Sequence, residues 1–165
     1  MLIARLEPEN NIEIILDAVS KSNSKAPFLI IGKHDANNFG RYLKRKFKKE
    51  TRIKFIGGIY DINVLNNLRY YSNLYIHGHS VGGTNPSLLE AMGSNALILA
   101  HENSFNKYIL GEDAFYFKSM NDIKVCLDSI SKSNYLHFVN NNILRVRYCL
   151  LYTTPSPRDS DQSRM

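Results

Sequence analysis

The sequence predicts an α/β fold in which helices cover both faces of a doubly wound, mostly parallel sheet. Short and nearly continuous apolar runs alternate with helix-length segments along most of the chain. Strands of that kind are typical of parallel sheets, because both of their faces are buried. With 165 residues, 44% of them hydrophobic and 22% charged, the chain has the composition of a soluble globular domain and can bury a sizeable core.

The elements follow from local patterns, taken in chain order. Residues 2–5 (LIAR) predict a first strand, and Pro8 with Glu9 opens a helix whose apolar residues recur at helical spacing. These apolar positions are Ile12, Ile15, Leu16 and Val19. Residues 27–32 (PFLIIG) predict a buried strand that ends at glycine, residues 39–49 a basic helix, and residues 53–58 (IKFIGG) a third strand.

The second half of the chain continues the alternation. Asp61 is placed to cap a helix that ends near residue 71, with Val64, Leu65 and Leu68 facing inward. Residues 73–78 (NLYIHG) predict a fourth strand, and a helix follows over residues 86–92. Two more strands, 96–101 (ALILAH) and 114–117 (AFYF), precede helices at 121–131 and 135–148. The pattern is that of a Rossmann-like sandwich, in which ligands bind beyond the carboxyl ends of the strands.

The loop after the fourth strand, in HGHSVGGTNPSLLEAMGSN, carries the main functional signal. Helix N-termini present unpaired N–H groups and a partial positive charge, and glycines let a phosphate approach the backbone, so this loop predicts a diphosphate cradle. Glu90, one turn further on, has the carboxylate to accept hydrogen bonds from ribose hydroxyls. On spacing alone, paired glycines are more often an ordinary turn, and a glutamate is more often a solvated helix residue. The cradle residues are Gly82, Gly83, Thr84 and Asn85.

The net charge of +6 is concentrated in a basic segment between Arg41 and Lys49. We favour a solvated helix face, and attraction to nucleotide phosphate or to an anionic membrane is the sharper alternative. We expect no nucleic-acid partner, because no recognised binding module accompanies the segment. Cys126 and Cys149 form neither a disulfide framework nor a metal-ligand spacing, which fits a reducing cytoplasm. No secretory signal or membrane-spanning run is visible.

The last part of the chain departs from the alternation. Residues 149–165, CLLYTTPSPRDSDQSRM, have no usable periodicity. The segment resembles strings that recur at the ends of unrelated sequences from shotgun assemblies and look like translated sequencing adapter. We therefore expect one domain over residues 1–148 and a disordered, non-native tail, with a natural disordered tail as the alternative. On this expectation the chain is incomplete, and Met1 need not be the true start.

Five pieces of the chain, in order, resemble the C-terminal, donor-binding half of the GT-B glycosyltransferases of the large retaining family 4. They are IARLEPENN, FLIIG, IKFIGGI, LRYYSNLYIHGHSVGGTNPSLLEAMGSNALILA and GEDAFYF, and the resemblance covers residues 2–148. The string HGHSVGGTNPSLLEAM is similar to that of a bacterial subgroup that builds surface polysaccharides, including rhamnosyltransferase-like members.

The resemblance implies roles for the positive side of the site. Arg5 matches the family's diphosphate-binding arginine. The lysine that usually follows it is replaced by Asn10 or Asn11, so Lys33 is a candidate stand-in. The backbone amides of residues 84 and 85 would hold the phosphates, and the base would lie near the loop that begins at Gly58.

The resemblance also implies a pair of acids, of which only one is present. Glu90 matches the second acid, which binds the nucleotide ribose in relatives. The first acid, which usually touches the donor sugar, would fall at Gly82 and is absent. His79 or Ser80 is a speculative substitute, and an ordinary loop histidine is the alternative.

The function implied is transfer of a sugar from a nucleoside-diphosphate donor to a glycan or lipid-linked acceptor, with retention of configuration and without a metal or other cofactor. Such enzymes bind the acceptor with an N-terminal domain, so we expect this chain to be catalytically incompetent alone. The alternatives are a non-catalytic nucleotide-binding module and a basic nucleic-acid-associated protein that uses residues 41–49. We expect a cytoplasmic protein, peripheral at the inner membrane face if the basic segment touches lipid.

Overall fold

The computed structural model describes residues 1–81 and 86–153, in which six strands alternate with helices. The strands are β1 (Leu2–Ile3), β2 (Phe28–Ile31), β3 (Ile53–Gly57), β4 (Tyr75–His77), β5 (Ile98–His101) and β6 (Phe115–Phe117). The helices are α1 (Ile12–Lys21), α2 (Asn38–Lys46), α3 (Ile62–Tyr71), α4 (Pro86–Gly93), α5 (Ser104–Leu110), α6 (Met120–Ser129) and α7 (Leu136–Thr153). Short 3-10 helices, Pro8–Asn10 and Lys132–Tyr135, precede α1 and α7.

The strands form two parallel, three-stranded sheets, ordered β1-β2-β3 and β4-β5-β6. Hydrogen bonds of a parallel ladder join the two sheets. The amino group of Met1 donates to the Leu74 carbonyl, and the Ile76 N–H donates to the Met1 carbonyl, each at 2.8 Å. The strand order across the molecule is therefore β3-β2-β1-β4-β5-β6. The predicted parallel α/β sheet is confirmed, and the winding reverses between β1 and β4.

Helices pack on both faces of this sheet and create two apolar clusters. Along β1, Leu2 belongs to one cluster and Ile3 packs against the other, because alternate residues of a strand face opposite ways. The first cluster includes α1 and α6, and the second includes Leu88 and Met92 of α4. The apolar stripe predicted for α1 is confirmed, since all of its members are buried: Ile12, Ile15, Leu16 and Val19.

Helix α3 begins as predicted but buries a different side. The Asp61 carboxylate accepts hydrogen bonds from two backbone N–H groups of the first turn. The inward position predicted for Val64 is wrong, because this side chain is exposed. The packed face consists of the partly buried Leu65 and, three and four residues after it, the partly buried Leu68 and the buried Arg69. Val64 lies about 100° around the helix from Leu65.

Two more differences concern helices near the end of the chain. The sequence pattern does not predict α5, because only Asn106 and Leu110 of its seven residues are buried and no apolar stripe is visible. Helix α7 runs to Thr153, beyond the predicted domain boundary at residue 148. The rest of the predicted tail, residues 154–165, lies outside the described residues. None of the described helices is both long and apolar enough to cross a membrane.

Candidate functional site

An open cavity of about 710 Å³ lies at the carboxyl ends of β1 to β4, where the winding of the sheet reverses. The loops after these four strands and the first turn of α4 form its walls. This is the edge of the sheet at which the sequence predicts a ligand. The residues that line the cavity include Arg5, Asn10, Lys33, Gly58, Tyr60 and His79.

Two cations stand in this cavity. Arg5 follows β1 and Lys33 follows β2, and both residues are exposed. The Lys33 Nζ atom lies 5.8 Å from the centre of the Tyr60 ring, over its face. Neither cation forms an ion pair with another described residue. The structure therefore brings together Arg5, Lys33 and Gly58, which the sequence places in three separate segments, and leaves both charges available to an anion.

Hydrogen bonds hold the loop after β1 against the loop after β4. The N–H and the hydroxyl of Ser80 both donate to the Glu9 carbonyl, at 3.1 and 2.8 Å. The Asn11 amide donates to the Gly78 carbonyl at 2.8 Å. Glycine is required at position 78, because a Cβ there would lie 2.0 Å from the Asn10 carbonyl oxygen. The Ser80 hydroxyl thus serves to join the two loops.

Asn10 links two residues of the cavity wall. Its amide nitrogen donates to the Arg5 carbonyl at 2.7 Å, and its amide oxygen lies 2.8 Å from Nδ1 of His79. His79 is half-buried and lines the cavity. The Asn10 side chain therefore connects the backbone of Arg5 to the ring of His79.

His77 ends β4, is only 4% exposed and also lines the cavity. Burial, with a smaller contribution from the neighbouring His79, lowers the pKa of His77 to about 4. Its Nε2 atom is buried without a hydrogen-bond partner among the described residues. His77 is therefore neutral near pH 7 and adds no charge to the cavity.

Glu90 lies in the second turn of α4. Among the described residues, neither Glu90 nor Ser80 belongs to the lining of the cavity. The Glu90 carboxylate accepts a hydrogen bond from Nη2 of Arg69 at 2.6 Å, and the Glu90 side chain is 44% exposed. Arg69 is buried and also donates to Oδ1 of Asn66 at 3.0 Å. This ion pair joins α3 to α4, and the ribose contact of Glu90 stays a prediction.

The amino end of α4 opens into the cavity. This helix begins at Pro86, as predicted, and both Pro86 and Ser87 line the cavity wall. A phosphate cradle needs this position, next to the positive end of a helix dipole. The predicted cradle itself lies outside the described residues: Gly82, Gly83, Thr84 and Asn85.

A second cavity, of about 380 Å³, lies at the amino ends of β1 and β2. Its arginine, Arg52, pairs with Glu50 at 2.8 Å and donates to the carbonyls of Ser22 and Ser24 at the end of α1. This guanidinium is therefore committed to contacts within the protein, unlike that of Arg5. Within residues 1–81 and 86–153, no group of three or more His, Cys, Asp or Glu side chains is arranged to hold a metal ion.

Sequence reasoning missed two residues that shape this region, Arg69 and Asn37. Asn37 caps α2 by accepting from the Gly40 N–H, and its amide nitrogen donates to the Leu6 carbonyl and to the Glu7 carboxylate, so it ties α2 to the loop after β1. The signal for Asn37 was an N-cap residue type immediately before a helix. The signal for Arg69 was its spacing of four residues from the apolar Leu65.

Solved structures of similar fold include proteins in complex with UDP and sugars. Anabaena HepE (Alr3699) in complex with UDP-glucose has a TM-score of 0.73 and 16% identity, and the match covers 89% of this chain and 44% of HepE. The pneumococcal O-GlcNAc transferase GtfA in complex with UDP and GlcNAc has a TM-score of 0.66 and 17% identity, with 89% and 31% covered. This chain thus spans less than half the length of either protein.

A third solved structure is an isolated domain, and the match covers most of both chains. The C-terminal domain of the group 1 glycosyl transferase LpcC from Francisella tularensis has a TM-score of 0.71 and 20% identity, with 89% of this chain and 83% of that domain covered. A search of the curated proteins gives no match. The family model of glycosyl transferases group 1 matches residues 1–133, which is most of the sequence. The chain therefore belongs to the group 1 glycosyl transferases.

Proposed function

We propose that this chain is the donor-binding domain of a glycosyltransferase and that its larger cavity binds a nucleoside-diphosphate sugar. The observation that carries the proposal is the meeting of Arg5 and Lys33 with the amino end of α4 in one open cavity. A diphosphate is negatively charged, and guanidinium, ammonium and helix N–H groups are the donors that suit it. UDP-glucose, which occupies the HepE structure, is a ligand of this class.

The same groups suit the chemistry of transfer. As the bond between sugar and diphosphate breaks, negative charge builds up on the departing diphosphate. We assign its stabilisation to Arg5, Lys33 and the backbone of the loop at residues 82–85. Glu90 is assigned to the ribose, and the loop at Gly58 to the base. The proposal includes retention of configuration and no requirement for a metal.

The acceptor is proposed to be a glycan or lipid-linked glycan of a cell-surface polysaccharide, held by a domain outside this chain. The alignments support this division, because they cover less than half of HepE and of GtfA. On this proposal the chain binds the donor but needs its partner domain for transfer.

Calorimetry tests the proposal directly, with UDP, GDP and dTDP titrated into the whole chain. At least one diphosphate is expected to bind. Arg5→Ala should weaken that binding about 10-fold or more, because a hydrogen bond to a charged group contributes about 1.5–3 kcal/mol. Lys49→Ala removes an exposed lysine beyond α2 and is the matched control, with no change expected. The proposal fails if no diphosphate binds, or if Arg5→Ala binds as well as the wild type.

We propose in addition that α2 makes a peripheral contact with an anionic membrane at the cytoplasmic face. Arg41, Lys44 and Arg45 are exposed, whereas Lys46 is paired with Glu13 at 2.8 Å. Each basic residue near such a surface contributes about 1 kcal/mol. Co-sedimentation with phosphatidylserine vesicles should be lost when the three exposed residues are replaced by glutamine. Equal binding to neutral vesicles would contradict this contact.

A further inference from the structure

We propose that His79 contacts a hydroxyl group of the transferred sugar, and that Asn10 is a positioning residue that decides which ring nitrogen makes this contact. The inference rests on the proposed function, because it divides the same cavity into a nucleotide end and a sugar end. It begins from the hydrogen bonds of one asparagine.

The amide of Asn10 fits in only one orientation. Its nitrogen lies 2.7 Å from the Arg5 carbonyl oxygen, and a carbonyl oxygen only accepts. Turning the amide over would bring two oxygens together at that distance. The nitrogen therefore faces Arg5, and the amide oxygen faces His79.

This orientation fixes the tautomer of His79. Because an amide oxygen is also only an acceptor, Nδ1 of His79, 2.8 Å away, carries the hydrogen. The neutral ring then presents a lone pair at Nε2. This atom has no hydrogen-bond partner among residues 1–81 and 86–153. His79 thus offers the cavity a hydrogen-bond acceptor held in place by Asn10.

The acceptor at Nε2 of His79 and the two cations suit different parts of the ligand. Phosphate oxygens are themselves acceptors, and Arg5 and Lys33 supply the donors that they need. A hydroxyl can donate, so it is the natural partner of the Nε2 lone pair. A nucleoside-diphosphate sugar carries hydroxyls at both ends, on the ribose and on the sugar.

The strand order decides between these two ends. Across β3, β2, β1 and β4 the cavity presents, in turn, Tyr60, Lys33, Arg5 and His79. With about 4.8 Å between neighbouring strands, the outer two lie about 14 Å apart. An aromatic ring suits a base, and the two central cations suit a diphosphate. Base, diphosphate and sugar follow one another in the ligand, so His79 lies at the sugar end.

Matched ligands test this assignment on the whole chain by calorimetry: UDP with UDP-glucose, GDP with GDP-mannose, and dTDP with dTDP-glucose. His79→Phe keeps a ring but removes both nitrogens. It should weaken the nucleotide sugar about 10-fold and the free diphosphate less than about 2-fold. His137→Phe changes an exposed histidine of α7 outside the cavity and should alter neither affinity.

The outcomes separate the inference from the proposed function. If His79→Phe weakens diphosphate and nucleotide sugar equally, or weakens neither, the inference is overturned while diphosphate binding stands. If the wild type binds no member of the three pairs, the proposed function fails, and the inference falls with it.

Nitrogen NMR of the imidazole rings tests the role of Asn10 without a ligand. The His79 signals, assigned by their loss in His79→Phe, should report the Nδ1–H tautomer. Asn10→Ala removes the amide oxygen that accepts from Nδ1, so it should return the ring to the mixture of tautomers of an unconstrained histidine. An asparagine with a merely structural role would lower Tm without changing the tautomer. An Nε2–H tautomer in the wild type overturns the inference.

Discussion

Arg5 and Arg69 carry the same charged group but lie in opposite environments, one exposed and one buried. Arg5 is exposed in the larger cavity and has no ion pair among the described residues, so its charge is free to meet a ligand. Arg69 is 1% exposed, and its charge is met by Glu90 on the neighbouring helix. We therefore assign Arg5 to the proposed binding site, whereas Arg69 contributes to the packing of α3 against α4.

Removing the Glu90 carboxylate tests how much its ion pair with Arg69 stabilises the fold. Glu90→Ala leaves the buried Arg69 without its anion and should lower the free energy of unfolding by about 2 kcal/mol, less than for a fully buried pair because Glu90 is partly exposed. Glu90→Gln keeps an acceptor oxygen and should lower the free energy of unfolding by less than Glu90→Ala does. Urea denaturation measures both. Lys107→Ala breaks an exposed pair with Glu102 and is the control, with no resolvable change expected. A loss for Glu90→Ala no larger than that of the control would contradict this account.

The buried His77 predicts a pH dependence of stability. Its pKa is about 4 in the folded chain and about 6.5 when unfolded. Between these values the unfolded chain binds a proton that the folded chain does not. The free energy of unfolding should therefore fall as the pH drops from 6.5 to 4, by up to about 3 kcal/mol, and this residue should cause no further loss below pH 4.

Urea denaturation at intervals between pH 7 and pH 4 checks this dependence. His77→Leu should flatten the slope over that range, whatever its effect on stability at neutral pH. A slope unchanged by the substitution would assign the dependence to other groups.

Single residues were predictable where their chemistry is local. Arg5 and Lys33 follow apolar strands, and the ends of parallel strands meet at one edge, so their convergence could be expected. The burial of Arg69 was harder to predict, because its spacing from Leu65 points to the packed face but an arginine in an amphipathic helix is usually solvated. The orientation of Asn10 depends on a carbonyl and a ring that the loops bring together.

At the scale of elements, the cavity depends on the close approach of the loops after β1 and β4. Four hydrogen bonds between described residues join them, from the backbone and hydroxyl of Ser80, from the Asn11 amide, and between Asn10 and His79. Gly78 permits this approach, since any side chain there meets the Asn10 carbonyl. The same contact places His79 beside the loop that carries Arg5.

Gly78→Ala is expected to separate these loops. The added Cβ would stand 2.0 Å from a backbone oxygen, so Tm should fall and diphosphate affinity should fall about 10-fold or more. Gly93→Ala in α4 is a matched control, because outside its own helix the nearest atom to the added Cβ is Cγ1 of Val146, 3.9 Å away. That change should leave binding unaltered and should raise stability by up to about 1 kcal/mol. Diphosphate affinity as high in Gly78→Ala as in the control would contradict the role of this contact.

Elements were predictable in proportion to the strength of their periodicity. Helix α1 buries every position of its predicted stripe, because apolar residues at helical spacing need a common face. Helix α5 has only two buried residues and gave no such signal. The backbone of α7 continues past residue 148 even though the sequence there resembles a non-native tail.

At the scale of the whole molecule, the strand order places the cavity where the winding reverses, and the chain corresponds to part of the longer relatives. We expect no sustained sugar transfer by this chain alone. A turnover assay with the nucleotide sugar that binds best and a lipid-linked glycan fraction should release no more diphosphate than the Arg5→Ala variant does. Sustained release that this substitution abolishes would show that the chain is a complete enzyme.

Amide chemical-shift mapping by NMR tests the central claim most directly, with the best-binding diphosphate titrated into the isotope-labelled chain. The account predicts that the largest shifts of the described residues occur at Arg5, Lys33 and Gly58, in the larger cavity. Largest shifts along α2, or at Arg52 beside the smaller cavity, would contradict it.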